Sequence, residues 1–393
     1  MQNFRLQQLL FLLFFILLST NLLAQETTII EKLNLVIKPV RTLKLDRAFD
    51  DIDFLKDIIK DKEIIALGEV THGTREVFDY KARLIRYMVT NLNYKNIAFE
   101  ADHNRMEYFD SYINGKLDTT GIRSDYKPLL VWLKQYNRKQ SAQNKVHIYG
   151  LELRDFSAAV DKILASNKRM AQPDKDVLLK IKTTAFDNID KETLAKFRKI
   201  CTQLPSDLHN KMLIQLIDNY FKFISLSSKI GVRDAFMAKN AIAIKESTAD
   251  KKLIIWAHNG HVAKTSLYNK PAMGEFLAKE YGNKYYVIAT DINKGYVTVR
   301  KYIARNKPIS DFQSLYYPEV ESDKAYEYYF AQTQYKNFIL DINGAMADKE
   351  LQQFLNKPKE MRAIGALSIP VNKKLSLADN YDMVVYFDET NSQ

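Results

Sequence analysis

The sequence predicts an α/β fold, a mostly parallel sheet core flanked by helices, with a helical insertion between the third and fourth core strands. Two observations lead there. Short runs dense in aliphatic and aromatic residues recur along the chain: "EIIALG" (63–68), "NIAFE" (96–100), "VHIYGLEL" (146–153), "KLIIWA" (252–257), "YYVIAT" (285–290), "NFILDI" (337–342) and "MVVYFD" (383–388). Nearly continuous apolar runs of this kind suit strands buried on both faces of a parallel sheet. Between them lie segments whose apolar residues recur at i, i+3 and i+4, as in amphipathic helices. With 393 residues, 46% of them hydrophobic, the chain can bury a substantial core.

The first element, "MQNFRLQQLLFLLFFILLSTNLLA" (1–24), carries one cation, Arg5, no acid, and an apolar block from Leu9 to Leu18. It reads as a secretory signal peptide cleaved near Ala24. The block is shorter than the roughly 20 residues a spanning helix needs. An exported chain, periplasmic or secreted, is expected, with no stable membrane insertion after cleavage. The remainder, 25–393, reads as one α/β domain.

Residues 25–47 read as an extended lead-in, and 49–59 as a short helix with Ile52, Leu55, Ile58 and Ile59 on its apolar side. After the first strand, Val77, Tyr80, Leu84, Ile85, Met88 and Leu92 fall at helical spacing, and Thr74 stands where an N-cap would be. Residues 155–250 hold helical patterns with almost no strand-like run. They form the predicted insertion.

Composition removes several functions. Cys201 is the single cysteine, so no internal disulfide forms; its apolar flanks at helical spacing predict a buried, inert thiol. Removing residues 1–24 leaves a net charge of +10, spread as scattered lysines without a basic block. No nucleic-acid partner is expected. No G-x-S-x-G elbow occurs, which leaves a serine nucleophile without support.

In open α/β sheets ligands bind beyond the carboxyl ends of the strands. Just past the predicted strands stand Glu69 and His72, then Glu100, Asp102 and His103, then Glu152, Arg154 and Asp155, then His258 and His261 in "WAHNGHV", and Asp291 after the fifth. Four of the six histidines lie at such ends. His103, one turn further on, is expected to be exposed. Glu69 could instead cap the following helix. Histidines and carboxylates gathered at one sheet edge suit hydrolysis, with a carboxylate-held histidine taking a proton from water and a cation or second histidine stabilising the oxyanion.

The blocks "LGEVTHGTREVFDYKARLIRYMV", "NIAFEAD", "VRDAFMAKN" and "IIWAHNGHVAK" resemble the erythromycin esterase family in order and spacing, over nearly the whole mature chain. The resemblance implies a small-molecule ester or lactone as substrate, and so a place in antibiotic resistance if that ester is a macrolide. It implies His72 as general base, Glu69 and Glu100 as its acidic partners, and His258 with His261 as a downstream pair. It implies substrate-binding roles for Arg233 and Asp234, and for a basic residue after His72, with Lys81 and Arg83 as candidates. Glu152 stands in "YGLELRD" where the family often has the shorter acid of G-L-D. No cofactor is expected. The alternatives are a divalent metal held by His72, His258, His261 and Glu69 or Glu100, and a non-catalytic ligand-binding protein.

Overall fold

The computed structural model describes residues 26–392, apart from 118–124, 153–155, 186–187, 207, 225–230, 268–269, 305–306, 308 and 370–371. The signal-peptide expectation and the expectations for Arg154 and Asp155 therefore lie outside the described residues. Among those described the strands are β1 (Lys38–Pro39), β2 (Ile64–Glu69), β3 (Asn96–Asp102), β4 (His147–Glu152), β5 (Leu253–His258), β6 (Tyr285–Arg300), β7 (Phe312–Tyr317), β8 (Asn337–Asp341), β9 (Lys359–Met361), β10 (Lys373–Leu375) and β11 (Met383–Thr390). The chain divides into two compact units. Among the described residues the larger comprises those within 42–69 and 77–288, the smaller those within 26–41, 70–76 and 289–392.

The larger unit is the parallel core. Its strand order is β6 start, β2, β5, β3, β4, and every pairing is parallel. All six residues of β2 and of β5 are buried, which requires cover on both faces. The helix Arg75–Asn91 supplies part of it, burying Val77, Tyr80, Leu84, Ile85 and Met88 as their spacing predicts.

Between β4 and β5 come the helices Ser157–Ser166, Gln172–Thr183, Lys191–Thr202, Leu208–Ile224 and Val232–Ser247. This is the expected insertion, and it has a core of its own around Val160, Leu178, Leu194, Phe197, Leu213 and Ile217. Cys201 is buried there, and burial pushes its thiol up to about 12, so it is an inert packing residue. The last of these helices is tied to the sheet by Asn240, whose amide donates to the Leu151 carbonyl at 2.8 Å and accepts from Asn219 at 2.9 Å. Arg233 and Asp234 lie two turns earlier on the same helix.

In the smaller unit the named strand pairs are antiparallel, with isolated parallel bridges at Arg300–Leu367 and Ala325–Glu360. β8 pairs with β1 and with β11, β6 from residue 289 onward forms a ribbon with β7, and β9 pairs with β10. The apolar runs of β8 and β11 report burial and are silent about direction.

Four expectations are corrected here. Residues 26–36 are helical rather than extended, because Ile29, Leu33 and Ile37, spaced by four, bury one stripe. Asp291 does not follow a strand: β6 continues through it to Arg300, and it is fully buried. His103 is buried, not exposed, as the first residue of the helix His103–Ile113, whose N-cap is Asp102 accepting from Asn104 and Arg105 amides. Thr74 does precede its helix, but its buried hydroxyl has no hydrogen-bond partner among the described residues, so it caps no amide; the Arg75 amide donates to the Asn391 carbonyl.

Candidate active site

Four strand ends of the larger unit supply the acids and histidines. Glu69 and His258 are register partners on β2 and β5. Glu100 comes from β3 and Glu152 from the last position of β4. His261 follows in the single-turn helix Asn259–Val262 after β5.

Arg233 is their hub. Its guanidinium meets Glu152 through two bonds, Nε at 3.0 Å and Nη2 at 2.5 Å, while Nη2 also reaches Glu100 at 2.7 Å. The side chains of Glu100 and Glu152 are only 7% and 11% exposed. Two carboxylates this close in a poorly hydrated place would repel strongly without the cation between them. The forked geometry is one that lysine cannot supply.

His261 sits between opposed demands. Nδ1 lies 2.6 Å from Asp234, which also accepts from the Met273 amide at 3.0 Å. Nε2 lies 2.8 Å from Arg233 Nη1 and 3.2 Å from Glu100. Burial alone would depress the imidazole, but Glu100 and Asp234 outweigh it and lift the group to about 9. Each protonation state has a partner: neutral Nε2 accepts from Arg233, and protonated Nε2 donates to Glu100. A proton can therefore come and go with little rearrangement. His258 is fixed differently. Its Nδ1 accepts from the Gly260 amide at 3.1 Å, its own amide donates to Glu100 at 2.8 Å, and its ring lies 6.3 Å from that of His261.

A second cluster surrounds Glu69. Lys81 Nζ lies 2.7 Å from Glu69 Oε2, and Trp256 Nε1 donates to the same oxygen at 2.5 Å. Glu69 is thus bound inward rather than capping a helix. Lys81 is completely buried; burial, opposed by Glu69, lowers its amine to about 8. The sequence offers Lys81 as a candidate substrate-binding residue; here its ammonium pairs with Glu69. Arg83 is the other candidate. It is fully buried, and its guanidinium binds Asp51, at 2.6 and 3.2 Å, and the Ala48 carbonyl, apart from the histidine network. Trp256 was missed by sequence reasoning. The available signal was an aromatic two residues before His258, on the same strand face.

Of the two glycines flanking the acid and histidine of the first motif, neither has positive φ. Close approach to backbone demands glycine at 73, whereas Gly68 abuts a side chain. A Cβ on Gly68 would come within 2.3 Å of Asn259 Oδ1, and one on Gly73 within 2.0 Å of the Thr298 carbonyl oxygen. Gly73 and half-buried His72 belong to the smaller unit, in a loop pinned there by Val70 to Thr290 Oγ1 (3.2 Å), Ile364 to Val70 (3.0 Å) and Thr298 to Gly73 (2.9 Å). Among the described residues no three or more His, Cys, Asp or Glu side chains are grouped to hold a metal ion.

Comparison with known proteins places the chain among the hydrolases. Relatives include the Escherichia coli erythromycin esterase type II, 20% identical over 81% of this chain and 87% of that protein, and the type I enzyme, 23% identical over 56% and 66%. A Bacillus subtilis protein named as a hydrolase is 25% identical over 61% of this chain and 66% of its own. More narrowly, the chain belongs to the erythromycin esterase family, whose model matches residues 89–390. The fold agrees. The crystal structure of a succinoglycan biosynthesis protein superposes with a TM-score of 0.80 at 21% identity, over 93% of this chain and 98% of that one. A mutant erythromycin esterase in its open conformation gives 0.62 at 20% identity, over 90% and 98%.

Proposed function

We propose that this hydrolase is exported and cleaves carboxylic esters or lactones with water as nucleophile. The observation that carries the reading is the Glu100–Arg233–Glu152–His261–Asp234 network at the strand ends of an erythromycin esterase family member. Arg233 provides fixed positive charge for a developing oxyanion. His261, with a partner in either protonation state, is suited to deliver a proton to the leaving alkoxide. His72 is assigned the base because its motif, "GEVTHG", resembles that of the erythromycin esterase family.

A reading without metal is supported by Arg233, which already supplies the cation between Glu100 and Glu152. A panel of 4-nitrophenyl esters, lactones and macrolides, run with and without chelator, tests the reading. Hydrolysis that survives chelator and is abolished by His72→Ala is expected. Loss of activity together with a stoichiometric bound metal would establish metal dependence instead, and binding without turnover across the panel would establish a ligand-binding protein. Mass analysis of the protein recovered outside the cytoplasm checks export, with cleavage expected near Ala24.

A further inference from the structure

We propose that Trp256 is a positioning residue for hydrolysis, its indole N–H and the Lys81 ammonium together gripping one oxygen of Glu69 and so fixing the direction in which that carboxylate faces. The proposal rests on the reading of Glu69 as part of the hydrolytic site.

The geometry begins with strand register. In the parallel pair β2 and β5, Leu67 is opposite Trp256 and Glu69 opposite His258. Side chains two residues apart share a sheet face, so Trp256, His258 and Glu69 project on one side, with Trp256 diagonal to Glu69. Diagonal neighbours lie within reach of a large aromatic, and the indole N–H closes the gap to 2.5 Å. The ring cannot turn away. Phe99, its partner on β3, stacks on it at 5.6 Å and 25°, while Phe78 and Tyr126 press edge-on at 5.0 and 5.3 Å. Lys81 Nζ lies 4.2 Å from the ring centroid and 2.7 Å from the Glu69 oxygen that the indole also contacts.

Ordinary core packing would be met by phenylalanine at this position, as it is at Phe78 and Phe99. The extra ring and its single donor are used on one carboxylate oxygen, already paired with a cation. Fixing one oxygen of a catalytic carboxylate removes a rotational freedom that would have to be lost in the transition state. Such a role predicts a change in kcat, with KM little altered.

The contact can be read without any substrate. The chain has two tryptophans, so protein labelled with 15N-tryptophan shows two indole cross-peaks, assigned with Trp132→Phe. The Trp256 signal is expected to be exchange-protected, to move on Glu69→Gln, and to shift as pH rises through about 8 and Lys81 discharges. A Trp256 signal indifferent to Glu69→Gln would overturn the grip. Its catalytic consequence is read with Trp256→Phe, whose fold is checked by thermal melting, on whichever 4-nitrophenyl ester the wild type cleaves. A loss of kcat of roughly ten- to a hundredfold at unchanged KM is expected for one charge-assisted hydrogen bond. Full kcat in a folded Trp256→Phe overturns the positioning role. If the wild type cleaves no ester while the signal still answers to Glu69→Gln, the grip stands and the hydrolytic reading, with the positioning role built on it, falls.

Discussion

Arg233 meets Glu152 through two N–H···O bonds, 3.0 and 2.5 Å long, and one of the same nitrogens reaches Glu100 at 2.7 Å. A single residue of the helical insertion thus bridges two acids at the ends of β3 and β4.

Removing that residue leaves two nearly buried carboxylates facing each other. Arg233→Ala is expected to abolish ester hydrolysis and to destabilise the fold by about 2–4 kcal/mol, the range for leaving a buried charge unpaired, lowered here because the arginine is partly exposed. Arg233→Lys should recover most of the stability and little of the activity, since charge returns without the fork. Urea denaturation and an ester assay on the same samples check both. Full activity in Arg233→Lys would show that only charge is needed.

Much of this arrangement was legible. Apolar runs located β2 to β5, and the rule that ligands bind beyond strand ends pointed to Glu69, Glu100, Glu152, His258 and His261. What failed was long-range. Lys81 falls four residues after Val77 and four before Ile85, so helical spacing alone puts it on the buried stripe. A lysine there announces a buried partner, but only the fold shows that the partner is Glu69. The helix at 26–36 was hidden because its apolar stripe is thin, and β7 because "FQSLYY" is largely exposed and, among the described residues, pairs with β6 alone. Asp291 imitated a strand end because a carboxylate closing an apolar run usually meets solvent.

Arg83 separates structure from chemistry. Its ion pair with Asp51 is buried on both sides, 0% and 4% exposed. Arg83→Met is expected to cost about 3–5 kcal/mol of stability by stranding Asp51, while kcat per folded molecule stays at the wild-type value. Thermal melting and active-site-normalised rates decide it. A selective loss of kcat would return Arg83 to the site.

His261 sets a pH limit. Burial lowers its affinity for a proton, the carboxylates of Glu100 and Asp234 more than restore it, Arg233 and the His258 ring complete its surroundings, and the result is about 9. A histidine raised above its unfolded value of about 6.5 contributes stability that is complete below that pH and is lost as pH climbs through 9. Denaturant midpoints should therefore fall between pH 6.5 and 9, by up to ~3 kcal/mol in unfolding free energy. His261→Gln should flatten that part of the slope. A slope unchanged in the variant would assign the titration to other groups.

Asp291 and Glu327 form a buried acid pair in the smaller unit, 0% and 1% exposed, their side chains close enough to share a proton. Asp291 Oδ1 accepts from the Ile292 amide at 2.9 Å, and Glu327 Oε1 accepts from the Arg362 amide. Burial, then the facing Glu327 charge, holds Asp291 well above the carboxylate range; Arg362 opposes this without reversing it, and Tyr386 is the other titratable group nearby. The native state therefore keeps a proton that the unfolded chain releases above about pH 4. The native chain then binds more protons than the unfolded one, so stability falls as pH rises from about 4, at ~1.4 kcal/mol per pH unit for one proton until the native group itself ionises. Asp291→Asn is nearly isosteric, keeps a donor toward Glu327 and never ionises. It should raise the melting temperature at pH 8, leave it nearly unchanged at pH 4, and so flatten the pH profile. A variant less stable than wild type at pH 8 would mean that Asp291 is ionised in the native state and held there by Arg362.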